Sequence, residues 1–512
     1  MKKRCLLLPF FLLAVLITHN SCGRSETAAR HGKDHLIVVL HVSPASLDPS
    51  ASGDRSSSIV MRQIYDTLVN LDENMRPLPN LAERWAFEND SNGEPSQIRL
   101  FLKQNVKFHS GELFNAQDVK FSLAQAAKMP HNGEVLNMIR SVDIVTDYEV
   151  LITMAYPFAP ILNHLSCTTA SITSEKAALE QDGDYGKNPI GTGPMKLAGW
   201  IDDTIELTRW DEYHGEAPHL KDITIRIIAD REERLSELES GAVDLVIDIL
   251  PEDISRIKGN SDLQLIRIMN FSTNYIGVNC QKPPFNDVRV RRAVAHALDL
   301  DALEKSVYLG SGGAGSAPIN SKIWASAEDR LKRIEYNPEK ARELLSEAGY
   351  SGGFSTNILL NDTPQRIEIA EVVKNMLAAI DVKVEIRLAD WTAYLDMTAR
   401  GGHEMFILGW VTVTGDPDYG LRSTFHSSNF GAGGNRSFYS NTEVDRLFDA
   451  GRIETDPAKR EQLYIQAQEI IHNEAVWIVQ WPGEDLNGAV KNLRGFKNHP
   501  AGRHELWTIL FE

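Results

Sequence analysis

Residues 284–298 read PFNDVRVRRAVAHAL, and this stretch shows most clearly how the chain is built. Asp287 suits a helix N-cap, because its carboxylate can accept hydrogen bonds from the unpaired amides of a first helical turn. After it, Val290, Val294 and Ala297 recur at helical spacing and form one apolar face. The stretch therefore predicts an amphipathic helix that packs against another layer of structure.

Strand-like runs and further capped helices flank this helix on both sides. The runs that suit strands are residues 36–42, 98–108, 150–154, 205–208 and 223–228. Asn337-Pro338 opens a second helix, which Gly349 ends, and Asp456-Pro457 opens a third. This alternation predicts an α/β fold. The 512 residues exceed one ordinary domain, so we expect two or three lobes packed together.

The first 21 residues form a separate segment. Three basic residues, Lys2 to Arg4, precede an apolar run over residues 6–17. That run is shorter than the roughly 20 residues needed to cross a bilayer, and it suits the core of a signal peptide. We therefore expect residues 1–21 to be a signal peptide and the protein to be exported.

Cys22 directly follows this segment. It resembles the lipid-attachment cysteine of bacterial lipoproteins, with residues 22–34 as a tether to the outer face of the membrane. His19 and Asn20 depart from the small residues usual before such a cysteine. Ordinary signal cleavage nearby, which would release the protein into a periplasm, is the alternative.

The composition and charge suit a folded protein without a nucleic-acid partner. Hydrophobic residues make up 42% of the chain and charged residues 24%. The net charge is −17, and it becomes −20 without residues 1–21, which contain three basic and no acidic residues. Such a surface repels phosphate backbones and anionic lipid. We expect membrane contact only through the lipid anchor.

Catalytic and metal-binding patterns are scarce. Residues 310–315 match the spacing G-x-G-x-x-G, but they lack the preceding strand and the following helix of a nucleotide site, so a loop is predicted. His403-Glu404 begins like the zinc motif H-E-x-x-H, yet Ile407 occupies the place of the second histidine. The sequence predicts no enzyme, no metal site and no cofactor.

Two further cysteines, Cys167 and Cys280, lie in the body of the chain. An exported compartment permits a disulfide between them, whereas a chain with a large core does not need one. The pair is therefore either a bridge or two small buried side chains.

From about Leu81 onward, five segments occur in the order typical of one protein family. They are residues 81–85 (LAERW), 104–112 (QNVKFHSGE), 115–119 (NAQDV), 188–194 (NPIGTGP) and 284–293 (PFNDVRVRRA). On these segments the chain resembles the bacterial solute-binding proteins, family 5, that serve ABC importers of dipeptides, oligopeptides, nickel and glutathione. It looks somewhat closer to the oligopeptide and glutathione members.

The resemblance implies a two-lobed periplasmic-binding-protein clamp of class II type, with an extra subdomain in the first lobe. The expected limits are 35–50, 186–287 and 485–512 for lobe I, 51–185 for the extra subdomain, and 288–484 for lobe II. It also implies that a monomer captures a small peptide and delivers it to the permease subunits of an importer. Binding of glutathione or another modified peptide is the main alternative, and a nickel chelate or an exported hydrolase the more distant ones.

The resemblance places the ligand along residues 409–420 (GWVTVTGDPDYG). In peptide-binding members a Gly-Trp strand, here Gly409, Trp410 and Val411, pairs with the peptide backbone. Those members also place an aspartate three residues after the tryptophan, where it pairs with the peptide's amino terminus. This chain has Val413 there, which cannot neutralise an ammonium group.

Other residues are candidates for ligand contact, each with a structural alternative. Asp416 and Asp418 either supply the missing carboxylate or only shape a proline-containing turn, and Glu371 is a further acidic candidate. Trp410 either contacts ligand or belongs to the core. The remaining candidates are Asn435 and Arg436, Arg366 for a ligand carboxylate, and Trp391 with Tyr394 as a cleft lining.

Overall fold

The computed structural model describes residues 34–72, 75–128, 133–181, 185–307 and 315–512. The predicted signal peptide, Cys22, the tether except for Asp34, and most of the glycine-rich loop lie outside these residues. The strands are β1 (His35–Leu40), β2 (Val69–Leu71), β3 (Pro77–Pro79), β4 (Ala82–Glu88), β5 (Gln97–Leu102), β6 (Ile139–Thr146), β7 (Glu149–Met154), β8 (Met195–Ile201), β9 (Thr204–Arg209), β10 (Asp222–Ile227), β11 (Leu245–Val246), β12 (Leu263–Val278), β13 (Phe354–Asn361), β14 (Val382–Ala389), β15 (Met405–Val411), β16 (Trp477–Val490), β17 (Leu493–Arg494) and β18 (Leu510–Phe511). The helices are α1 (Arg55–Ile64), α2 (Ala116–Ala126), α3 (Gly133–Leu136), α4 (Ile161–His164), α5 (Glu175–Glu180), α6 (Arg231–Ser240), α7 (Ile254–Gly259), α8 (Val288–His296), α9 (Leu300–Val307), α10 (Pro338–Glu347), α11 (Pro364–Ala378), α12 (Trp391–Ala399), α13 (Ser423–Phe425), α14 (Thr442–Ile453) and α15 (Pro457–Asn473).

Ten strands form one large mixed sheet. Their order is β14-β13-β15-β12-β16-β11-β1-β10-β9-β8. Parallel pairs, such as β1 with β10 and β13 with β14, lie beside antiparallel hairpins such as β8 with β9. Parallel neighbours require long crossover connections, and here helices supply many of them. The predicted α/β class is confirmed.

The long strands β12 and β16 join the two halves of this sheet. They pair antiparallel from Leu263 opposite Val490 to Gly277 opposite Trp477. The register shifts between Met269 and Thr273, which leaves a bulge in the middle of β12. Because a bulge bends a strand and weakens the local ladder, this position is suited to a hinge between two lobes.

A second sheet, β4-β5-β7-β6, has an apolar core of its own. Its buried side chains, such as Leu100 and Ile152, pack with Val119 and Leu123 of α2. This cluster draws on residues 68–172, whereas the remaining apolar clusters lie in the two halves of the large sheet. The result is a two-lobed clamp with an additional subdomain. The lobe limits expected from the sequence remain predictions, because the large sheet runs through both lobes.

The predicted helix starts are confirmed. Asp287 accepts a hydrogen bond from the N–H of Arg289, and α8 begins at the next residue, Val288. Asn337 caps α10 in the same manner, and the backbone of Gly349 just after that helix is left-handed. The cap of α15, Asp456, accepts from two amides.

One predicted strand is shorter than expected. The alternation over residues 98–108 continues past the end of β5 at Leu102. Asn105 adopts a left-handed backbone with φ 62°, which no regular strand accommodates. Val106 and Phe108 are still buried, so the alternation reflects burial of a turn against the same core.

The two cysteines of the body are not bridged. Cys167 is buried and Cys280 is partly buried, and both are free thiols. Burial raises the pKa of each thiol above its usual value. Of the two alternatives, the structure shows the unbridged one. In the described part of the chain no helix is long and apolar enough to cross a membrane.

Candidate functional site

The end of β15 offers a backbone edge beside the junction of the lobes. One edge of β15 pairs with β12 as far as Val411, which lies opposite Ser272. The other edge pairs with β13 only at Met405 and Phe406. Along residues 409–411 that second edge therefore has no partner strand among the described residues. An exposed strand edge of this kind can accept an extended peptide as an additional strand.

Trp410 lies on this edge and is only partly buried. Its ring lies 5.7 Å from that of Tyr419, at an interplanar angle of 32°. The indole Nε1 is buried and has no hydrogen-bond partner among the described residues. Since buried indole N–H groups normally find an acceptor, this donor is suited to an acceptor from outside the chain.

The residues after β15 connect the second lobe with the rest of the chain. The N–H of Thr412 donates to the carbonyl of Phe271 in the β12 bulge at 3.1 Å. Asn163 donates its side-chain amide to the carbonyl of Thr414 at 3.4 Å, and the Cys167 thiol lies 3.8 Å from the carbonyl of Val413. These contacts bring the extra subdomain against the predicted ligand segment. Val411 and Val413 keep 47% and 36% of their surface exposed.

Asp416 and Asp418 are buried and already paired. Arg460 donates to both oxygens of Asp416, at 2.7 and 2.6 Å. Tyr464 donates to Asp418 at 3.0 Å, and Arg452 lies 3.5 Å from its other oxygen. The surface of Asp416 is wholly buried and that of Asp418 almost so. Both carboxylates therefore stabilise the turn after the ligand segment, which matches the structural alternative raised from the sequence.

Asn435 is also buried, and its side chain is engaged within the second lobe. Its amide donates to the carbonyls of His426 and Tyr439 at 3.1 and 2.9 Å. Its oxygen accepts from the N–H of Tyr439. Arg436 differs, because it is only partly buried and binds neutral groups, the carbonyl of Leu395 and the hydroxyl of Thr398.

Arg366 and Trp391 come together at the starts of α11 and α12. The Arg366 guanidinium lies 5.8 Å from the centre of the Trp391 ring and donates to the side-chain oxygen of Asn361 at 2.7 Å. Trp391 is 48% exposed and stacks on Tyr394 at 5.7 Å. Among the described residues neither Arg366 nor Arg436 forms an ion pair, so both cations can serve an anionic ligand.

His403, from the incomplete zinc motif, has a structural position. Its Nε2 donates to the carbonyl of Arg436 at 2.8 Å. Burial lowers the pKa of His403 to about 4, so the ring is neutral at neutral pH. The ring packs on Phe406 of β15, at 4.6 Å between centres. It supports the strand that presents the candidate site.

The sequence interpretation missed the loop over residues 498–504. Phe271 donates its N–H to the carbonyl of Pro500 at 3.1 Å, which brings this loop beside Thr412. Arg503 in the loop is only 7% exposed. It donates to the carbonyl and the hydroxyl of Ser166, the residue before Cys167. Gly502, with φ 71°, signals a turn from sequence, but no charge pattern signals the burial of Arg503.

The architecture is that of a solute-binding clamp, with the candidate ligand edge where two lobes and a subdomain meet. The sequence profile of the bacterial extracellular solute-binding proteins, family 5 (middle region), matches residues 76–432. This chain belongs to that family, and it is a solute-binding protein.

Known relatives are named for different ligands. The glutathione-binding protein GsiB of Salmonella typhimurium is 30% identical over 473 residues, 90% of this chain and 91% of the relative. The heme-binding protein A of Haemophilus influenzae is 30% identical over 540 residues, 97% of this chain and 96% of the relative.

Solved structures show the same fold. HbpA2 from Haemophilus parasuis has a TM-score of 0.86 and 27% identity, covering 93% of this chain and 100% of that one. The ABC transporter-associated periplasmic binding protein DppA from Helicobacter pylori, in complex with the peptide STSA, has a TM-score of 0.74 and 27% identity. It covers 93% of this chain and 98% of that one.

Proposed function

We propose that this protein is the substrate-binding component of an ABC importer and captures a short peptide or peptide-like molecule between its lobes. The observation that supports this most directly is the strand edge of residues 409–411. It pairs with β12 on one side and with no other strand of the described residues on the opposite side. A peptide added there would pair its own backbone with the strand. Such pairing is indifferent to side chains and suits broad capture.

Closure of the lobes supplies the signal to the importer. Contacts from Asn163 and Cys167 to the carbonyls of Thr414 and Val413 join the extra subdomain to the second lobe only when the two are close. A ligand that touches both sides stabilises this closed state by its differential affinity. The permease then recognises the closed shape. No bond of the ligand is made or broken, so the protein is not an enzyme.

Glutathione is the second candidate ligand. Val413 stands where peptide-binding members carry the aspartate for a free amino terminus. Glutathione is a tripeptide whose γ-linked glutamate presents its charges differently, and the relative GsiB is named for binding it. A modified peptide of this kind fits a site without that aspartate.

The setting of this function is the outer face of the cytoplasmic membrane or the periplasm. The proposal includes a signal peptide over residues 1–21, a lipid on Cys22 and a monomer that docks on the permease. Metabolic labelling with an alkyne fatty acid tests the anchor. The unchanged chain should incorporate label, and Cys22→Ala should not. Equal labelling of both would refute lipidation at Cys22.

Mass spectrometry of the small molecules released from the denatured protein tests the ligand. A ladder of short peptides is expected for capture through the backbone, and glutathione alone would support the second candidate. A metal chelate, or hydrolysis of a peptide in a single-turnover assay, would refute peptide capture without catalysis.

Calorimetry with tri-alanine and its N-methylated analogues tests the strand edge. Methylation removes one backbone donor at a time, so at least one analogue should bind about tenfold more weakly. The same affinity for every analogue would refute pairing with residues 409–411. Tri-alanine methylated on a side-chain carbon, as α-aminobutyrate, is the matched control for added bulk.

A further inference from the structure

Arg503 is a buried cation that forms no ion pair within the part of the chain that the structure describes. Its side chain is 7% exposed. Its Nη1 donates to the carbonyl and hydroxyl oxygens of Ser166, which are both neutral. Its Nε and Nη2 are buried and have no hydrogen-bond partner among the described residues. Two of its three nitrogens are therefore unsatisfied.

The neighbours of Arg503 do not neutralise it. The ionisable groups close to its guanidinium include Cys167, Arg62 and His499. Burial raises the pKa of the Cys167 thiol, so it stays neutral at neutral pH, and Arg62 is itself a cation. The acidic partner of Arg62 is Glu505, at 2.7 Å. Burial accordingly lowers the pKa of Arg503. An uncompensated buried charge is costly, and stable folds seldom keep one without a use.

The same loop holds further unsatisfied polar atoms. The side-chain Nδ2 and Oδ1 of Asn498 are buried without a hydrogen-bond partner among the described residues, and so is Nε2 of His504. Most buried polar groups in folded proteins are hydrogen-bonded, so three such residues within seven positions call for an explanation. A polar ligand would satisfy them.

Arg503 is connected through Ser166 and Cys167 to the residue that departs from the family pattern. Its partner Ser166 precedes Cys167, whose thiol contacts the carbonyl of Val413 at 3.8 Å. Its loop meets the β12 bulge through Pro500 and Phe271, and Phe271 in turn accepts from Thr412. The position expected to hold a carboxylate holds Val413, and a buried cation is connected to it. A free amino terminus requires a negative charge at this end of the site, whereas the chain offers a positive one.

We propose that Arg503 is a specificity-determining residue that binds a carboxylate of the solute. The preferred ligand class is then a peptide-like acid that presents an anion at the Val413 end of the site. Arg366 and Arg436, also without ion pairs among the described residues, are available for a second anionic group. This inference rests on the proposed capture of peptide-like solutes.

Two matched probes and two variants test the proposal. The probes are tri-alanine and N-succinyl-tri-alanine, which replaces the ammonium group with a carboxylate. Calorimetry on the unchanged protein should show at least about tenfold tighter binding of the succinylated probe, the gain typical of a charge-assisted hydrogen bond. Arg503→Met should abolish this preference. Arg503→Lys, which keeps the charge but loses the planar fork, should retain part of it.

Urea unfolding without ligand separates a binding role from a structural one. If Arg503 serves the ligand, Arg503→Met should keep or raise the unfolding midpoint, because an unpaired buried charge is removed. A lowered midpoint together with an unchanged probe preference would overturn the proposal and make Arg503 a structural support of Ser166.

The outcomes also distinguish the two proposals. Tighter binding of tri-alanine by the unchanged protein would overturn the role of Arg503 and leave peptide capture intact. If neither probe binds at millimolar concentration, peptide capture fails and the ligand class fails with it. The unfolding midpoints would then still show whether Arg503 is a structural residue.

Discussion

Arg460 and Arg503 are both buried, yet their surroundings are opposite. Arg460 is held by both oxygens of Asp416, with Asp418 close by. Burial alone would lower the pKa of Arg460, but these acids raise it above its usual value. Among the described residues Arg503 has only the neutral oxygens of Ser166 as hydrogen-bond partners, and burial lowers its pKa. Burial alone therefore does not reveal the role of an arginine, whereas the groups that it contacts do.

The largest effect on stability should come from breaking the ion pair between Asp416 and Arg460. Asp416→Ala leaves Arg460 buried without its hydrogen-bonded carboxylate, and breaking a buried pair typically costs about 3–5 kcal/mol of the free energy of unfolding. Urea unfolding followed by circular dichroism measures it. The double variant Asp416→Leu with Arg460→Met removes both charges and should recover much of the loss. A loss below about 1 kcal/mol for Asp416→Ala would show that this ion pair is not what holds the turn.

A smaller effect, on ligand affinity, is expected from adding a negative charge at Val413. Val413→Asp places a carboxylate where peptide-binding members carry theirs, in the segment connected to Arg503 through Cys167 and Ser166. The variant should bind tri-alanine about tenfold more tightly and N-succinyl-tri-alanine about tenfold more weakly, as for one charge-assisted hydrogen bond. Calorimetry with both probes checks this.

Val413→Asn is the matched control, because it has the shape of aspartate without its charge. If it shifts the two affinities as far as Val413→Asp does, polarity and not charge sets the preference. If Val413→Asp changes neither affinity, the end of the ligand lies elsewhere in the cleft.

Sequence patterns predicted the fold well and the site only in outline. Caps such as Asp287 and Asn337 act over three or four residues, so the helix starts could be found from local chemistry alone. The family segments indicated the clamp. The partners of Asp416 and the burial of Arg503 could not be found, because Arg460 lies 44 positions away and Ser166 lies 337 positions away. Contacts at such separations are set by the packing of whole elements, and single residues give no signal of them.

A still smaller effect should follow from acidification of the loop that holds Arg503. Burial lowers the pKa of His504 to about 3, and burial together with Arg503 lowers that of His499 well below its usual value. Histidine titrates near 6.5 in the unfolded chain, so the unfolded state takes up more protons as the pH falls. Stability is therefore full above pH 6.5 and declines below it. Between pH 7 and 5.5, protonation linked to His504 should cost about 1.3 kcal/mol of the free energy of unfolding.

Urea unfolding of His504→Gln at both pH values checks this. Whatever its stability at pH 7, the variant should lose about 1.3 kcal/mol less free energy of unfolding between pH 7 and 5.5 than the unchanged protein. The exposed His219 is the control, and His219→Gln should keep the slope of the unchanged protein. An unaltered slope in His504→Gln would mean that the buried ring is not a source of acid sensitivity in this loop.

The smallest effect should come from Glu371, an acid that is exposed to solvent. It lies on the exposed side of α11, and its partner is Lys374 at 3.2 Å, one turn away. Exposed ion pairs contribute little, because water and salt screen them. Glu371→Ala should therefore leave both the unfolding midpoint and the affinity for tri-alanine unchanged within error. A weaker affinity for tri-alanine but not for its succinylated form would identify Glu371 as the partner of a free amino terminus. The charge reversal inferred around Val413 and Arg503 would then be wrong.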